Sequence, residues 1–321
     1  MAEPIALVAL AIDAALGWPA RLYRRIGHPV GAFARVIGCL EKRWNKPGNS
    51  TRTRRLLGLA SVAILVAFSA AAAMLLECGI RQLAGRWAWP LVALAAWPAL
   101  AQRSLFDHYR PIEHALAHHD LPAARAAVSM IVGRDTAGLD EPGIARAAIE
   151  SLAESFCDGV IAPLFWLLVV GLPGAWAYKA INTADSLIGH PEESLRAYGW
   201  AAARIDDVAN LVPARLSGAL ICLAGAGGWR TLWGDHARHA SPNAGWPEAA
   251  MAGALNVRLA GPLLYDDVLA DKPWIGDGVE ADLGAMRRAR HIFVRACGLA
   301  WFATASIVAA PIVTGDVKWL P

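Results

Sequence analysis

Leu56–Leu76 reads LLGLASVAILVAFSAAAAMLL, 21 residues without a charge. At 1.5 Å per residue such a helix spans about 31 Å, enough to cross the roughly 30 Å hydrocarbon layer of a bilayer. Arg52, Arg54 and Arg55 precede it and Glu77 follows it. The stretch reads as a transmembrane helix, and it decides the fold class: an all-α, multi-pass integral membrane protein.

Other apolar stretches extend that reading. Trp87–Ala101, with Pro90 and Pro98, is expected to return across the membrane. Ala296–Gly315 is a further uncharged span. Gly159–Tyr178 is also uncharged, but Gly171-Leu172-Pro173-Gly174 interrupts it, which fits a re-entrant hairpin better than a straight span. Val208–Trp229 is apolar apart from Arg215. Pro4–Ala20 is apolar apart from Asp13 and lacks the basic start of a signal peptide. Arg21–Arg55 holds ten Lys/Arg against the single acid Glu41, so the positive-inside rule places it in the cytoplasm. The polar region Gln102–Asp158 then lies on the same side, as cytoplasmic helical loops. Leu121–Ile131 and Glu141–Phe156 have helical spacing, and Asp140 is placed to cap the second of them. Strand signals are weak.

Composition agrees. Of 321 residues, 56% are hydrophobic and only 18% charged, against about 25% charged in an average soluble domain. A disordered chain is excluded. The net charge of +3 gives no reason to expect nucleic acid as a partner. Five scattered cysteines without a CxxC exclude a disulfide framework and a zinc ribbon. No linker divides the chain, so residues 1–321 read as one domain.

The densest polar chemistry runs from Gly133 to Arg215. Arg146, Glu150, Glu154 and Asp158 recur every four residues and form one drifting stripe on a helix. Carboxylates so placed repel unless a cation, a metal ion or a substrate amine lies among them. A solvated face with an Arg–Glu pair is the plain alternative, but the stripe runs into an apolar membrane segment where idle acids are costly. Past the broken hairpin, Lys179, Asn182 and Ser186 share a face and Asp185 flanks it. Lys179 is suited to an anionic phosphate, or to snorkelling at a membrane boundary. In Arg204-Ile205-Asp206-Asp207-Val208-Ala209-Asn210, Asp206 and Asn210 lie one turn apart, a pattern that suits Mg²⁺ bridging to phosphate. Ser241-Pro242-Asn243-Ala244-Gly245-Trp246-Pro247-Glu248 reads as a binding loop before a helix at Ala249, with Asn243 and Glu248 its polar groups. His114 and His118 are also one turn apart, but no HExxH is present and the stretch reads as a wet helix face. Neither common glycine motif for phosphate occurs.

These stretches resemble the CobD/CbiB family of cobalamin-biosynthesis membrane proteins, the adenosylcobinamide-phosphate synthases. The resemblance rests on Gly27–Val30, Ile131–Thr136 (IVGRDT), Arg146–Phe165 (RAAIESLAESFCDGVIAPLF) and Tyr178–Gly189 (YKAINTADSLIG). It continues through Gly199–Arg215 (GWAAARIDDVANLVPAR) and Ser241–Gly253 (SPNAGWPEAAMAG), in the family's order; the chain from Leu264 onward matches weakly. Ser155 stands where family members usually carry Asn.

The resemblance implies a bacterial inner-membrane enzyme with its active site facing the cytoplasm. Its reaction would join aminopropanol, or its O-phosphate, to the free propionate of (adenosyl)cobyric acid as an amide. ATP and Mg²⁺ would drive it, with the lipid bilayer as environment and a partner subunit or other late-pathway membrane enzymes as candidate partners. Charge and spacing, set against that reaction, assign roles. Asp206, Asp207 and Asn210 are expected to hold Mg²⁺-nucleotide. Lys179, Arg204, Arg134 and Arg215 are expected at phosphates, and Asp135 beside Arg134 joins the substrate-binding group. Glu150, Glu154 and Asp158 are expected to bind the substrate ammonium, one of them taking its proton. Asn182, Asp185, Asn243 and Glu248 are expected to orient corrinoid or nucleotide. A cytoplasmic site requires Gly159–Tyr178 to be re-entrant, and Val208–Trp229 either not to cross or to return.

Three other readings use the same features. A transporter of a corrinoid or other solute would also place acids on broken helices, but it should show internal pseudo-symmetry, and none is visible. A prenyl-diphosphate transferase would need a second acidic motif. A non-catalytic membrane sensor would tolerate neutralised carboxylates.

Overall fold

The structure, a computed structural model, describes residues 3–133, 135–190, 192–265, 268–270 and 272–313. The helices in chain order are α1 (Ile5–Leu16), α2 (Ala20–Ile26), α3 (Pro29–Trp44), α4 (Thr51–Ala84), α5 (Ala88–Ala96), α6 (Gln102–Ala117), α7 (Leu121–Ser129) and α8 (Glu141–Phe156). A π-helical turn at Cys157–Ile161 leads into α9 (Ala162–Val170), α10 (Leu172–Ile188), α11 (Glu193–Arg196), α12 (Trp200–Ala209) and α13 (Leu211–Ala224). Then come α14 (Trp229–Asp235), α15 (Gly245–Leu255) and α16 (Leu283–Val313). The strands among the described residues are short antiparallel ribbons: β1 (Leu259–Ala260) with β4 (Trp274–Ile275), and β2 (Leu263–Tyr265) with β3 (Val268–Ala270).

Local chemistry fixes several ends. Ser50 Oγ accepts the Thr53 N–H at 3.2 Å and starts α4. Asp140 Oδ1 accepts the Gly143 N–H at 2.8 Å and starts α8 at the expected residue. At 34 residues α4 is about 51 Å long, more than a bilayer core requires. It leaves Phe68, Leu75 and Leu76 exposed, as a lipid-facing surface would.

Among the described residues three helical runs meet the length and apolarity of a membrane span: one within Thr51–Ala117, one at Glu141–Val170 and one at Leu283–Ala310. Two broken pairs, Ile5–Leu16 with Ala20–Trp44 and Trp200–Ala209 with Leu211–Ala224, raise the number to five if each is one span. The first pair bends by 102°. The return expected over Trp87–Ala101 takes the form of α5 and a 3₁₀ turn. Nine residues of α5 rise about 14 Å, under half the hydrocarbon thickness. Val208–Trp229 is not one helix either: it breaks at Asn210, between α12 and α13.

Packing divides the chain into two compact units, neither continuous in sequence. One holds the chain up to Ala101, Ala162–Asn210 and the chain from Ala303; the other holds Gln102–Ile161 and Leu211–Phe302. In the first, α10 packs on α3, α4 and α12 around Ile37, Val62, Leu65, Ala180, Ala184 and Tyr198. Alanines at 180 and 184 share a helical face and let the backbones come close. Gly58 does the same on α4, where a Cβ would collide with the Tyr198 carbonyl. Tyr198 Oη and Ser61 Oγ lie 2.6 Å apart in this core.

The break at Gly171 makes the hairpin that the sequence suggested. Gly171 has φ +75°, a left-handed conformation that favours glycine. Beyond it, Gly174 packs against Val170 and Trp166, and Tyr178 meets Ala162 near the start of α9. The two helices therefore run back to back.

In the second unit α8 is buried against α6, α7 and α15, and α15 packs on α13 and α14. Arg290 Nε donates to both Glu113 carboxylate oxygens at 3.0 Å, tying α16 to α6.

Candidate functional site

The first unit carries one group of the expected residues on α10 and α12. Asp206 is 9% exposed and Asn210 only 2%. Asn210 Nδ2 donates to Asp206 Oδ2 at 2.9 Å, and Tyr178 Oη donates to Asn210 Oδ1 at 3.0 Å. This buried chain of polar atoms joins the returning arm of the hairpin to the end of α12. The indole of Trp166 donates to the Ala209 carbonyl at 3.2 Å and fixes the same end.

Asp207 takes another direction. One residue on along a helix is 100° around the axis, and its carboxylate accepts from Arg204 Nη1 at 2.9 Å on a more exposed face. The structure therefore brings Asp206 and Asn210 together and pairs Asp207 with Arg204. On α10, Lys179 Nζ donates to Asn182 Oδ1 at 3.3 Å. Asp185 folds its carboxylate over Gly189, where a Cβ would collide with it.

The second unit carries the other group. Glu150 Oε1 accepts the Ala260 N–H at 2.7 Å and lies 3.9 Å from Arg146 Nε. Glu150 thus joins α8 to β1. Glu154 is exposed. Asp158 lies in the π-helical turn, whose angular step is smaller than 100°, so its place on the stripe differs slightly from that on a continuous α-helix. Asp135 Oδ1 accepts the Ala137 N–H at 2.9 Å in an exposed turn; Arg134 lies outside the described residues.

Helix α15 begins at Gly245, not Ala249, so Trp246, Pro247 and Glu248 form its first turn. Pro fits there because that N–H has no helical partner in any case. Ser241 Oγ accepts the N–H groups of Asn243 and Ala244, each at 3.2 Å, and folds the preceding turn. Asn243 and Glu248 are buried. Arg215 lies over the Trp246 ring at 4.6 Å, and His236 lies against the same ring at 4.0 Å. His239 Nε2 is 3.7 Å from Glu248 Oε1. Burial holds the His239 pKa below its usual value, against the opposing hydrogen bond from Ser241. Burial thus favours the neutral imidazole and weakens this contact as an ion pair.

Among the described residues no three or more His, Cys, Asp or Glu side chains gather as metal ligands would. Mg²⁺ does not require such a cage: one or two protein carboxylates suffice when phosphates and water complete the shell. Asp206, with the oxygen of Asn210 one turn away, fits that requirement. Tyr178 and His239 were not singled out in the sequence. Tyr178 directly precedes Lys179, but nothing in the spacing foretells its bond to Asn210.

The fold and these sites define a helical membrane protein that carries buried acid and amide pairs on broken helices. The sequence pattern of the family described as "CobD/Cbib protein" matches residues 6–293. The chain belongs to this CobD/CbiB family of cobalamin biosynthesis proteins. It is 51% identical over 276 residues to the cobalamin biosynthesis protein CobD of Rhodobacter capsulatus, covering 84% of this chain and 85% of that one. It is 44% identical over 316 residues to CobD of Sinorhizobium fredii, covering 95% and 96%. For CobD of Geobacter metallireducens the identity is 43% over 283 residues, covering 86% and 87%. No solved structure matches the chain.

Proposed function

We propose that the chain is an acid–amine ligase of cobalamin biosynthesis. It joins aminopropanol or (R)-1-aminopropan-2-yl phosphate to the free propionate of (adenosyl)cobyric acid, consuming ATP. The observation that carries the reading is the buried Asp206–Asn210–Tyr178 chain in a member of this family. Acids and amides are buried in membrane helices at a cost, and function is the usual reason.

Amide formation needs an activated carboxylate. The propionate oxygen attacks the terminal phosphorus of ATP, the bond to the bridging oxygen breaks, and an acyl phosphate forms. The neutral amine then attacks the acyl carbon, phosphate leaves, and the nitrogen loses a proton. Mg²⁺, when bound, offsets phosphate charge. Asp206 and Asn210 supply the oxygens that would hold it. Lys179 presents a point charge to a phosphate, and Arg204, Arg215 and Arg134 supply further cations. One of Glu150, Glu154 and Asp158 takes the proton from the ammonium. Asp207, Asp135, Asn182, Asp185, Asn243 and Glu248 position the substrates. The site faces the cytoplasm, where its substrates are. The α9–α10 hairpin supports this, because a returning segment keeps both its ends on one side.

The test uses the purified chain in detergent with adenosylcobyric acid, Mg²⁺-ATP and either amine, following corrinoid mass. An ATP-dependent gain equal to the amide, lost in Asp206→Ala, supports the ligase. No product, with or without membrane extract from the source organism, overturns it; product only with extract means that a partner subunit is required.

A further inference from the structure

The second unit contains a cleft that none of these roles uses. It opens at the first turn of α8 and is walled by Asp140, Arg146, Arg258, Trp274 and Glu280, with a volume of about 150 Å³. Two guanidiniums lie over one indole: Arg146 Cζ is 5.0 Å from the Trp274 ring centroid and Arg258 Cζ is 4.6 Å. Two like charges held against one ring favour a counter-charge between them.

Each guanidinium has one carboxylate at an edge, which leaves its other N–H donors for a ligand. Asp140 Oδ1 accepts the Gly143 N–H. Glu150 lies 3.9 Å from Arg146 Nε and shares the same carboxylate oxygen with the Ala260 N–H. Glu280 meets one edge of Arg258, Oε1 to Nη2 at 2.6 Å, with 61% of its side chain exposed. The buried Nε of Arg258 meets no acceptor among the described residues. A guanidinium lying over an aromatic ring uses its face and keeps its N–H donors in plane for an oxyanion. The α8 N-terminus adds positive potential at the same place.

The platform is rigid. Trp274 pairs with Ala260 across the β1–β4 ribbon. Gly261, with φ +79°, packs against the indole so closely that a Cβ would come within 2.5 Å of it. A site held by paired backbone on one side and a helix start on the other is preorganised for a small ligand.

We propose that this cleft is the phosphate subsite for the amine substrate, with Arg146 and Arg258 on Trp274 holding the phosphate of the phosphorylated amino alcohol. The assignment rests on the ligase reading. The volume favours the amino-alcohol phosphate over a nucleotide as the source of the phosphate, since sites that enclose drug-sized ligands measure roughly 300–1000 Å³.

The experiment titrates the full chain in detergent with (R)-1-aminopropan-2-yl phosphate, free aminopropanol, inorganic phosphate and ATP in separate calorimetric runs, without corrinoid. The expected result is that the amino-alcohol phosphate binds and inorganic phosphate competes with it. Free aminopropanol should bind at least about tenfold more weakly. Arg258→Gln should weaken the amino-alcohol phosphate about tenfold or more and leave ATP unchanged. Arg258→Lys, which keeps the charge and loses the fork, serves if the glutamine variant does not fold, and should also weaken binding. No binding by the wild type, unaltered binding in both variants, or loss of ATP binding alone overturns the subsite. The ligase reading fails separately, on corrinoid mass: a chain that binds the phosphate through Arg258 but forms no amide keeps the subsite and loses the reaction.

Discussion

Tyr178 and Asn210 share a hydrogen bond of 3.0 Å between hydroxyl and amide oxygen, with both side chains buried. They lie on different helices, 32 residues apart. With the Trp166 indole on the Ala209 carbonyl, the bond links the hairpin at Gly171 to the acid–amide pair at the end of α12. Removing the hydroxyl leaves a buried amide oxygen short of its donor, at a cost of about 1–3 kcal/mol. Tyr178→Phe is expected to lower stability by that amount in thermal unfolding of the detergent-solubilised protein. It should also lower kcat, because Asn210 loses its orientation.

Asp206 and Asp207 are neighbours in sequence and differ in surroundings. Asp206→Asn keeps the shape and removes the buried charge, so ligase activity should fall about a hundredfold or more and the Mg²⁺ needed for half-maximal rate should rise. Asp207→Asn weakens the more exposed contact with Arg204, and the loss should stay within about tenfold. Steady-state rates across a Mg²⁺ titration decide this. Equal losses in the two variants would contradict the geometry.

Gly58 on α4 touches the Tyr198 carbonyl with no room for a methyl group. The neighbour is backbone and cannot turn aside. Gly58→Ala is expected to cost about 3 kcal/mol or more, since overpacking forces the elements apart. A lowered melting temperature and poor recovery from membranes would report it. Gly79→Ala, at a position with open space around it, should be close to neutral.

His239 gives the stability a pH dependence. Its ordinary pKa is 6.5 and burial lowers it in the folded protein. Below about pH 6.5 the unfolded chain takes up a proton that the folded chain refuses, so stability falls as the pH falls and levels off below the folded pKa. His239→Asn should flatten this part of a melting curve series between about pH 5 and 7. The Glu248 contact at 3.7 Å does not reverse the sign, because burial is the larger influence on the imidazole.

Much of this molecule was written in its local sequence. The 21 uncharged residues at Leu56 demanded a long helix, because buried backbone must satisfy its own hydrogen bonds. Asp140 fixed the start of α8, and Gly171 with Pro173 fixed the hairpin, through capping and backbone geometry that depend on a few adjacent residues. The motifs carried the family, which the match over residues 6–293 shows.

What the sequence left open depended on packing between distant segments. Spacing put Asp206, Asp207 and Asn210 together, but which of them turns inward depended on Tyr178 and Arg204. The four-residue stripe from Arg146 to Asp158 presumed an unbroken α-helix, and the π turn at Cys157 altered its step. Trp246, between glycine and proline, read as loop and instead opens a helix. The cleft of Arg146, Arg258 and Trp274 joins residues more than a hundred positions apart, which no local period encodes. Sequence alone determined the helices and their ends, because those rest on neighbouring residues. Tertiary structure decided which polar groups meet, because that depends on side chains brought together by burial.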